Sequence, residues 1–203
     1  MSPASSSLWP GRCERTVSDD LPVLETERLV LRPYLMADAP SVQQVCGDRA
    51  IADTTLAIPH PYPDGAAEQW ISTHAESFRQ GTEVTLAITL KPDRPVIGSV
   101  ALSVNKKHQR GELGYMVARE HWNRGYCTEA ARALMSFGFS TLGLDRIQAV
   151  HFLRNPASGR VMQKLGMTRE GLLRQYVSNR GTREDVIMYS ILRPEFKTTG
   201  CTR

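Results

Sequence analysis

The stretch Trp122-Asn123-Arg124-Gly125-Tyr126-Cys127-Thr128-Glu129-Ala130 lies between a strand-like run and a helix-like run of residues. The helix is indicated by a mostly apolar stripe at helical spacing, made of Ala130, Leu134, Phe137, Gly138 and Thr141. At a helix N-terminus, backbone N–H groups without a partner in the helix meet the positive end of the helix dipole. Gly125 lets the backbone approach a bulky anion, and Arg124 adds a positive charge. The stretch therefore has the features of a phosphate-binding turn.

Taken alone this signal is weak, because most single-glycine turns before a helix are only turns. The stretch contains neither the Gly-x-x-x-x-Gly-Lys-Ser/Thr pattern of a P-loop nor the Gly-x-Gly-x-x-Gly dinucleotide fingerprint. A thiol at a helix N-terminus can be nucleophilic, but no histidine stands beside Cys127 in the sequence. We interpret Cys127 as a small packing residue.

A second polar segment, Asn155-Pro156-Ala157-Ser158, follows a strand predicted over residues 147–152. Asparagine at the N-cap and proline at the first helical position are typical of a helix start. The predicted helix ends at Gly166. From these residues alone, the simpler interpretation is that Asn155 only caps the helix and that Ser158 only occupies its first turn.

The remaining patterns predict a layered domain of strands and helices. Strands are predicted at residues 28–33, 83–90, 95–104, 112–118, 146–152, 168–177 and 184–192, and helices at 68–80, 128–142 and 156–165. Hairpin-like spacing in the first half indicates antiparallel strands, and the second half alternates strands with helices. We therefore expect an α+β or α/β layered fold, a mixed sheet with helices on its faces. One domain is predicted over residues 21–196, with loose tails at 1–20 and 197–203.

Composition excludes several classes of protein. The chain has 203 residues, 41% of them apolar, and a formal net charge of +4. We expect no nucleic-acid partner, because no dense Lys/Arg stripe occurs, and no membrane span, because apolar runs are short. The four cysteines are scattered, which argues against a disulfide framework or a structural metal site and favours reduced thiols in the cytoplasm.

Four stretches together resemble the GNAT acyltransferase superfamily, and most closely its ribosomal-protein N-terminal-acetyltransferase (Rim-type) branch. The stretches are residues 24–32, 111–117, 122–130 and 155–167, which run from Leu24-Glu25-Thr26-Glu27-Arg28 to Lys164-Leu165-Gly166-Met167. They occur in the family's order, and the resemblance covers the chain from about residue 21 to 192. The combination is much more specific than any one stretch.

The resemblance implies a mostly antiparallel, seven-stranded sheet with helices on both faces, splayed between its fourth and fifth strands. It implies transfer of the acetyl group of acetyl-CoA to a primary amine, with acetyl-CoA bound in the splay and no metal. The resemblance assigns the backbone of Met116 and Val117 to the pantetheine arm, which it would pair with as an added strand does. It assigns the diphosphate to the backbone N–H groups of Arg124, Gly125, Tyr126, Cys127 and Thr128, and the pantetheine side to Asn155.

Two residues are candidates for proton transfer. Glu112 is the candidate general base, because alternation along its strand places it on one face with Gly114 and Met116; a surface salt bridge is the equally plain alternative. Ser158 is the candidate acid for the leaving thiolate. Many GNAT enzymes use a tyrosine for this step, but the corresponding residue is Met162, which cannot donate a proton. The oxyanion donor would be a backbone N–H at Met116 or Val117.

The family pattern Gln/Arg-x-x-Gly-x-Gly/Ala is also altered here, with Trp122 at its first position and Cys127 at its last. The sequence leaves the acceptor open between a protein N-terminal α-amine and a small-molecule amine. A non-catalytic acyl-CoA-binding or regulatory module is the alternative function, and a nucleotide-binding protein is a third class. Edge strands could pair two copies into a homodimer.

Overall fold

The computed structural model describes residues 20–92 and 95–197. The strands are β1 (Leu24–Glu25), β2 (Leu29–Arg32), β3 (Glu83–Leu90), β4 (Val96–Asn105), β5 (Arg110–Val117), β6 (Arg146–Phe152), β7 (Thr168–Asn179) and β8 (Thr182–Leu192). The helices are α1 (Ala39–Gly47), α2 (Arg49–Ala52), α3 (Ala66–Gln80), α4 (Tyr126–Ser140) and α5 (Pro156–Lys164). The predicted tails lie almost wholly outside the described residues, and the limits 21–196 stay a prediction.

All described strands form one sheet in the order β1-β2-β3-β4-β5-β6-β8-β7. Neighbouring strands are antiparallel except β5 and β6, which are parallel. The mixed, mostly antiparallel α/β sheet is therefore confirmed. The predicted number of seven strands is wrong by one, because the opening segment folds back on itself. Leu24 pairs with Leu31 and Glu25 with Val30, so a two-residue strand precedes β2.

Helices cover both faces of the sheet, and strand alternation divides the core between them. On β3, Leu86 and Ile88 belong to the large apolar core that α4 closes with Leu134 and Met135. Ala87, between them, faces a smaller core on the other side. That smaller core contains Val42 of α1 and Ile71 of α3. We call these the α4 face and the α1–α3 face.

The sheet opens between β5 and β6. Their ladder consists of three residue pairs, from Arg110 with Arg146 to Glu112 with Gln148. Beyond Glu112, β5 continues to Val117 along β4, whereas β6 continues along β8. The predicted splay between the fourth and fifth strands is thus the gap between β5 and β6. No helix within the described ranges is both long and apolar enough to cross a membrane.

One buried histidine is expected to make folding sensitive to acid. His74 of α3 is 5% exposed and packs edge-on against Trp70, with ring centroids 4.4 Å apart. Neither of its ring nitrogens has a hydrogen-bond partner among the described residues. Burial lowers the pKa of His74, and the nearby Glu83 only partly opposes this effect. The neutral ring is therefore favoured in the folded state.

We expect His74→Phe to remove an acid-dependent loss of stability. Because the folded-state pKa is below the unfolded value of about 6.5, the unfolded chain takes up the proton first and stability falls as pH drops below about 6.5. Phenylalanine cannot titrate and buries no unpaired nitrogen, so the variant should gain about 1 kcal/mol in acid. Urea unfolding above and below that pH measures the difference, with the exposed His108→Phe as the control. An unchanged pH dependence in His74→Phe would contradict the assignment.

Candidate active site

The gap beside β5 exposes one set of its peptide groups. Ala118 N–H donates to the Ile97 carbonyl at 2.7 Å, on the β4 side. Peptide groups alternate in direction along a strand, so those of Met116, paired with Ser99, also point toward β4. Those of Leu113, Tyr115 and Val117 point away from β4. Leu113 is adjacent to the last pair of the β5–β6 ladder, whereas Tyr115 and Val117 line the gap with donors and acceptors that β6 does not reach.

The Val117 carbonyl has one partner in the gap. The Trp122 indole Nε1–H donates to it at 2.9 Å, although 40% of Trp122 is exposed. The contact ties the end of β5 to the loop that follows, and it gives Trp122 a structural role at the first position of the family pattern.

The loop ends at the N-terminus of α4. Gly125 is the N-cap, with φ 82°, in the left-handed region where a side chain is strained. The Glu129 N–H donates to the Gly125 carbonyl at 3.0 Å, which is the first bond of the helix. The N–H groups of Tyr126, Cys127 and Thr128 precede that bond and have no acceptor within the helix. Together with the exposed Arg124, they give this turn the N–H donors and the positive charge that binding of an anion requires.

The thiol in this turn is not activated. Burial raises the pKa of Cys127 to about 12, and its side chain packs against the α4-face core. A neutral thiol is a poor nucleophile, so the geometry agrees with a packing role for Cys127.

Glu112 lies where the β5–β6 ladder ends. It is exposed, and Gln148 Nε2 donates to its Oε2 at 3.0 Å. Gln148 itself is only 7% exposed, so the amide is held within the sheet and orients the carboxylate. The alternative prediction for Glu112 was a surface salt bridge, but among the described residues its side chain bonds to the Gln148 amide instead. Sequence reasoning missed Gln148, because only the register of two strands distant in sequence brings it opposite Glu112.

Ser158 meets a second hydroxyl group across the gap. The Tyr115 hydroxyl of β5 lies 3.0 Å from Ser158 Oγ and also donates to the Ser158 carbonyl at 3.0 Å. Burial raises the pKa of Tyr115, and the hydrogen bond with Ser158 only partly opposes this, so the phenol stays protonated. Met162 is 1% exposed and lies in the core rather than in the gap. Tyr115 thus places a phenol near the start of α5.

Asn155 caps α5. Its Oδ1 accepts from the Ser158 N–H at 3.4 Å, and Pro156 follows at the first helical position. The cap holds Asn155 and Ser158 together at the β6 side of the gap. The predicted capping role and a contact from the side-chain amide to a ligand are therefore compatible.

A cavity of about 340 Å³ lies elsewhere, between α1 and the segment that follows β5. Its lining includes Gln44, Asp48, Arg119 and His121 but none of the ten residues predicted for the site. The predicted residues lie on β5 and at the starts of α4 and α5, beside the gap between β5 and β6 rather than around this cavity.

Comparison with known proteins agrees with this geometry. The family model described as the acetyltransferase (GNAT) domain matches residues 28–168. The chain belongs to the GNAT acetyltransferase family. The GNAT resemblance read from the sequence is confirmed, and the chain is an acetyl-CoA-dependent N-acetyltransferase. The match spans β2 to the start of β7 and includes both sides of the gap.

The relatives of this GNAT chain agree in length and fold. An uncharacterized N-acetyltransferase of Bacillus subtilis, YoaA, is 34% identical over 85% of this chain and 98% of its own. The ribosomal-protein-S5-alanine acetyltransferase of Vibrio fischeri has a TM-score of 0.75 at 23% identity, covering 87% of this chain and 99% of its own. RimJ of Mycobacterium smegmatis, solved with a CoA-disulfide, has a TM-score of 0.75 at 22% identity, with 84% of each chain covered. These two structures share the GNAT fold and carry names of the Rim-type branch.

Proposed function

We propose that the chain acetylates a primary amine by direct attack on the thioester of acetyl-CoA bound between β5 and β6. The observation that carries this proposal is the position of the α4 N-terminus, which follows β5 after the loop of residues 118–125, while the ladder of β5 with β6 stops after three pairs. An anion turn and an open row of peptide groups thus lie end to end. Acetyl-CoA presents the matching chemistry, a diphosphate followed by a chain of amides.

In this proposal the donor is held mainly by the backbone. The N–H groups of residues 126–128 and the Arg124 side chain bind the diphosphate, and Gly125 gives it room. The peptide groups of Tyr115 and the Val117 N–H pair with the pantetheine amides as an added strand would, while the Val117 carbonyl accepts from Trp122. The Met116 backbone, which the resemblance also assigns to the pantetheine arm and offers for the oxyanion, does not fit either role, because its peptide groups point toward β4. Its side chain lies on the α1–α3 face, and Asn155 contacts the pantetheine from the β6 side.

The proposed chemistry is one acyl transfer. The amine nitrogen forms a bond to the thioester carbonyl carbon, the C–S bond breaks, and its electron pair leaves with sulfur. Glu112 takes the proton that the amine loses, and Ser158 returns a proton to the thiolate. The products are the amide and coenzyme A. A backbone N–H of β5 that faces the gap stabilises the oxyanion.

The two proton-transfer residues approach from opposite sides of the sheet. Glu112 shares the α1–α3 face with Met116, whereas Tyr115 lies on the α4 face and reaches Ser158. The amine would lose its proton on one face of the sheet and the thiolate would gain one on the other. The attacking nitrogen and the leaving sulfur would then not compete for the same side chain. This separation supports assigning the base and the acid to different residues.

We expect Ser158→Ala to lower kcat about tenfold, at or below the lower limit for acid catalysis, because a thiolate is a fair leaving group. Tyr115→Phe should lower kcat less, and should have little further effect in the Ser158→Ala background, since Tyr115 acts through Ser158. Steady-state kinetics at saturating acetyl-CoA measure both, with Ser178→Ala on β7 as the control. If the double variant instead lost kcat by the product of the two single effects, Tyr115 would not act through Ser158.

The experiment that tests the function is a calorimetric titration with acetyl-CoA, using ATP and NADH as competing candidates. The same samples then enter a thiol-release assay with small amines and N-terminal peptides. We expect selective acetyl-CoA binding and acceptor-dependent release, and the responding acceptor identifies its class. No acetyl-CoA binding would refute the site, and binding without release on any acceptor would favour a non-catalytic acyl-CoA-binding module.

A further inference from the structure

The turn between β1 and β2 contacts the start of α4, about 100 positions later in the chain. Glu129 Oε1 accepts from Thr26 Oγ1 at 2.6 Å and from the Arg28 N–H at 2.9 Å. Glu129 Oε2 accepts from Arg28 Nε at 2.7 Å and lies 2.6 Å from Arg28 Nη2. One carboxylate thus receives four contacts from a three-residue segment.

The Arg28 guanidinium also holds the loop before the helix. Its Nη1 donates to the Arg124 carbonyl at 3.0 Å, and its carbon lies 4.8 Å from the centre of the Tyr126 ring. Gly125, with its left-handed backbone, lies between these two contacts. Arg28 therefore touches the residue before the N-cap, the first residue of α4 and the fourth, and fixes the path of the chain through the turn.

These contacts also change the charge that the turn presents. A carboxylate in the first turn of a helix interacts favourably with the positive end of the helix dipole, but it repels an incoming anion. Burial would raise the pKa of Glu129, but hydrogen bonds from Thr26 and Arg28 and the Arg28 charge lower it on balance, so the group stays ionised. The Arg28 cation neutralises it at contact distance. The positive charge of Arg124 then acts on an anion with less opposition.

We propose that Thr26, Arg28 and Glu129 form a clamp that positions the turn for the diphosphate of the donor. Arg28 is a positioning residue in this assignment, because its donors are directed to protein groups. The clamp gives a function to the Thr26-Glu27-Arg28 segment. This segment belongs to one of the four stretches that resemble the family, but the sequence alone assigns it no role. The inference rests on the proposed acetyl-CoA site and adds the part of the donor that the clamp controls.

The test compares two donors that differ in the diphosphate. S-acetylpantetheine keeps the thioester and the amides but lacks the diphosphate and nucleotide. We expect Arg28→Met to lower kcat/KM for acetyl-CoA about tenfold or more, the usual effect of losing hydrogen bonds to a charged group. The value for S-acetylpantetheine should stay near that of the unaltered protein. The ratio of the two values should therefore fall about tenfold.

Two further variants make the result specific. Arg79→Met removes an exposed arginine that pairs with Glu76 on α3, at 2.8 Å, and should leave the ratio unchanged. Thr26→Val keeps the shape and removes the hydroxyl that bonds to Glu129 and to the Leu29 backbone. Because the Arg28 contacts remain, it should shift the ratio in the same direction by less. It also replaces Arg28→Met if that variant does not fold. An equal loss with both donors, or no loss, overturns the clamp; failure of the unaltered protein to bind acetyl-CoA refutes the site itself.

Discussion

Glu112→Gln is expected to lower kcat by about 10²- to 10⁴-fold, the contribution of a positioned general base. Glutamine has nearly the same shape and can still bond to Gln148, so the β5–β6 ladder should persist. It cannot accept the proton of the attacking amine. The dissociation constant of acetyl-CoA should stay within about twofold, because the proposed role of Glu112 belongs to the chemical step.

A conservative variant separates this role from a structural one. Glu112→Asp keeps a carboxylate that can accept a proton, so it should retain more turnover than Glu112→Gln, although its side chain is shorter. Glu76→Gln, an exposed carboxylate of α3, is the matched control and should leave kcat unchanged. A Glu112→Gln variant with normal turnover would assign deprotonation of the amine to another group or to solvent.

Gly114→Val is expected to reduce kcat/KM about 100-fold without loss of stability. Gly114 lies on β5, on the same face as Glu112, and a Cβ built there meets no atom within 4 Å. That open space is where the proposed amine and thioester meet. A branched side chain suits a strand, so folding should not suffer, but displacement of a reactant by about 1 Å costs about 10² in rate.

Gly171→Val provides the control for this effect. Gly171 lies on β7, remote in the sheet order from β5, and its Cβ position is equally open. Thermal unfolding should show both variants near the unaltered protein, with only Gly114→Val losing activity. Full activity in Gly114→Val would place the reacting groups away from β5.

The helices and most strands could be predicted from the sequence, because local structure depends on neighbouring residues in the chain. The stripe through Ala130 and Leu134 predicts α4, which begins at Tyr126, two residues before the predicted start. Asn155 and Pro156 predict the start of α5, and the structure has both the cap and the helix there. The two-residue strand β1 was not predicted, because no periodicity can be read from two residues.

The side-chain contacts between segments that are distant in the chain could not be predicted from the local pattern of residues. Tyr115 is an apolar-face residue by alternation, and nothing in its neighbourhood indicates that its hydroxyl reaches Ser158, 43 positions away. Gln148 and Arg28 are hidden in the same way, since their partners Glu112 and Glu129 belong to other elements. The family resemblance supplied the donor site, and only packing reveals which side chains support it.

The short β5–β6 ladder leaves an unpaired strand edge inside the molecule rather than at its rim. Unpaired edges elsewhere in β proteins invite strands from other chains and lead to aggregation. Here the edge of β5 has β6 beside it, with α4 packed on β5 and α5 on β6, so it is enclosed by other elements of the same fold. The fold thus keeps a pairing edge open within its own sheet, where strands of other chains do not meet it as they meet an outer edge.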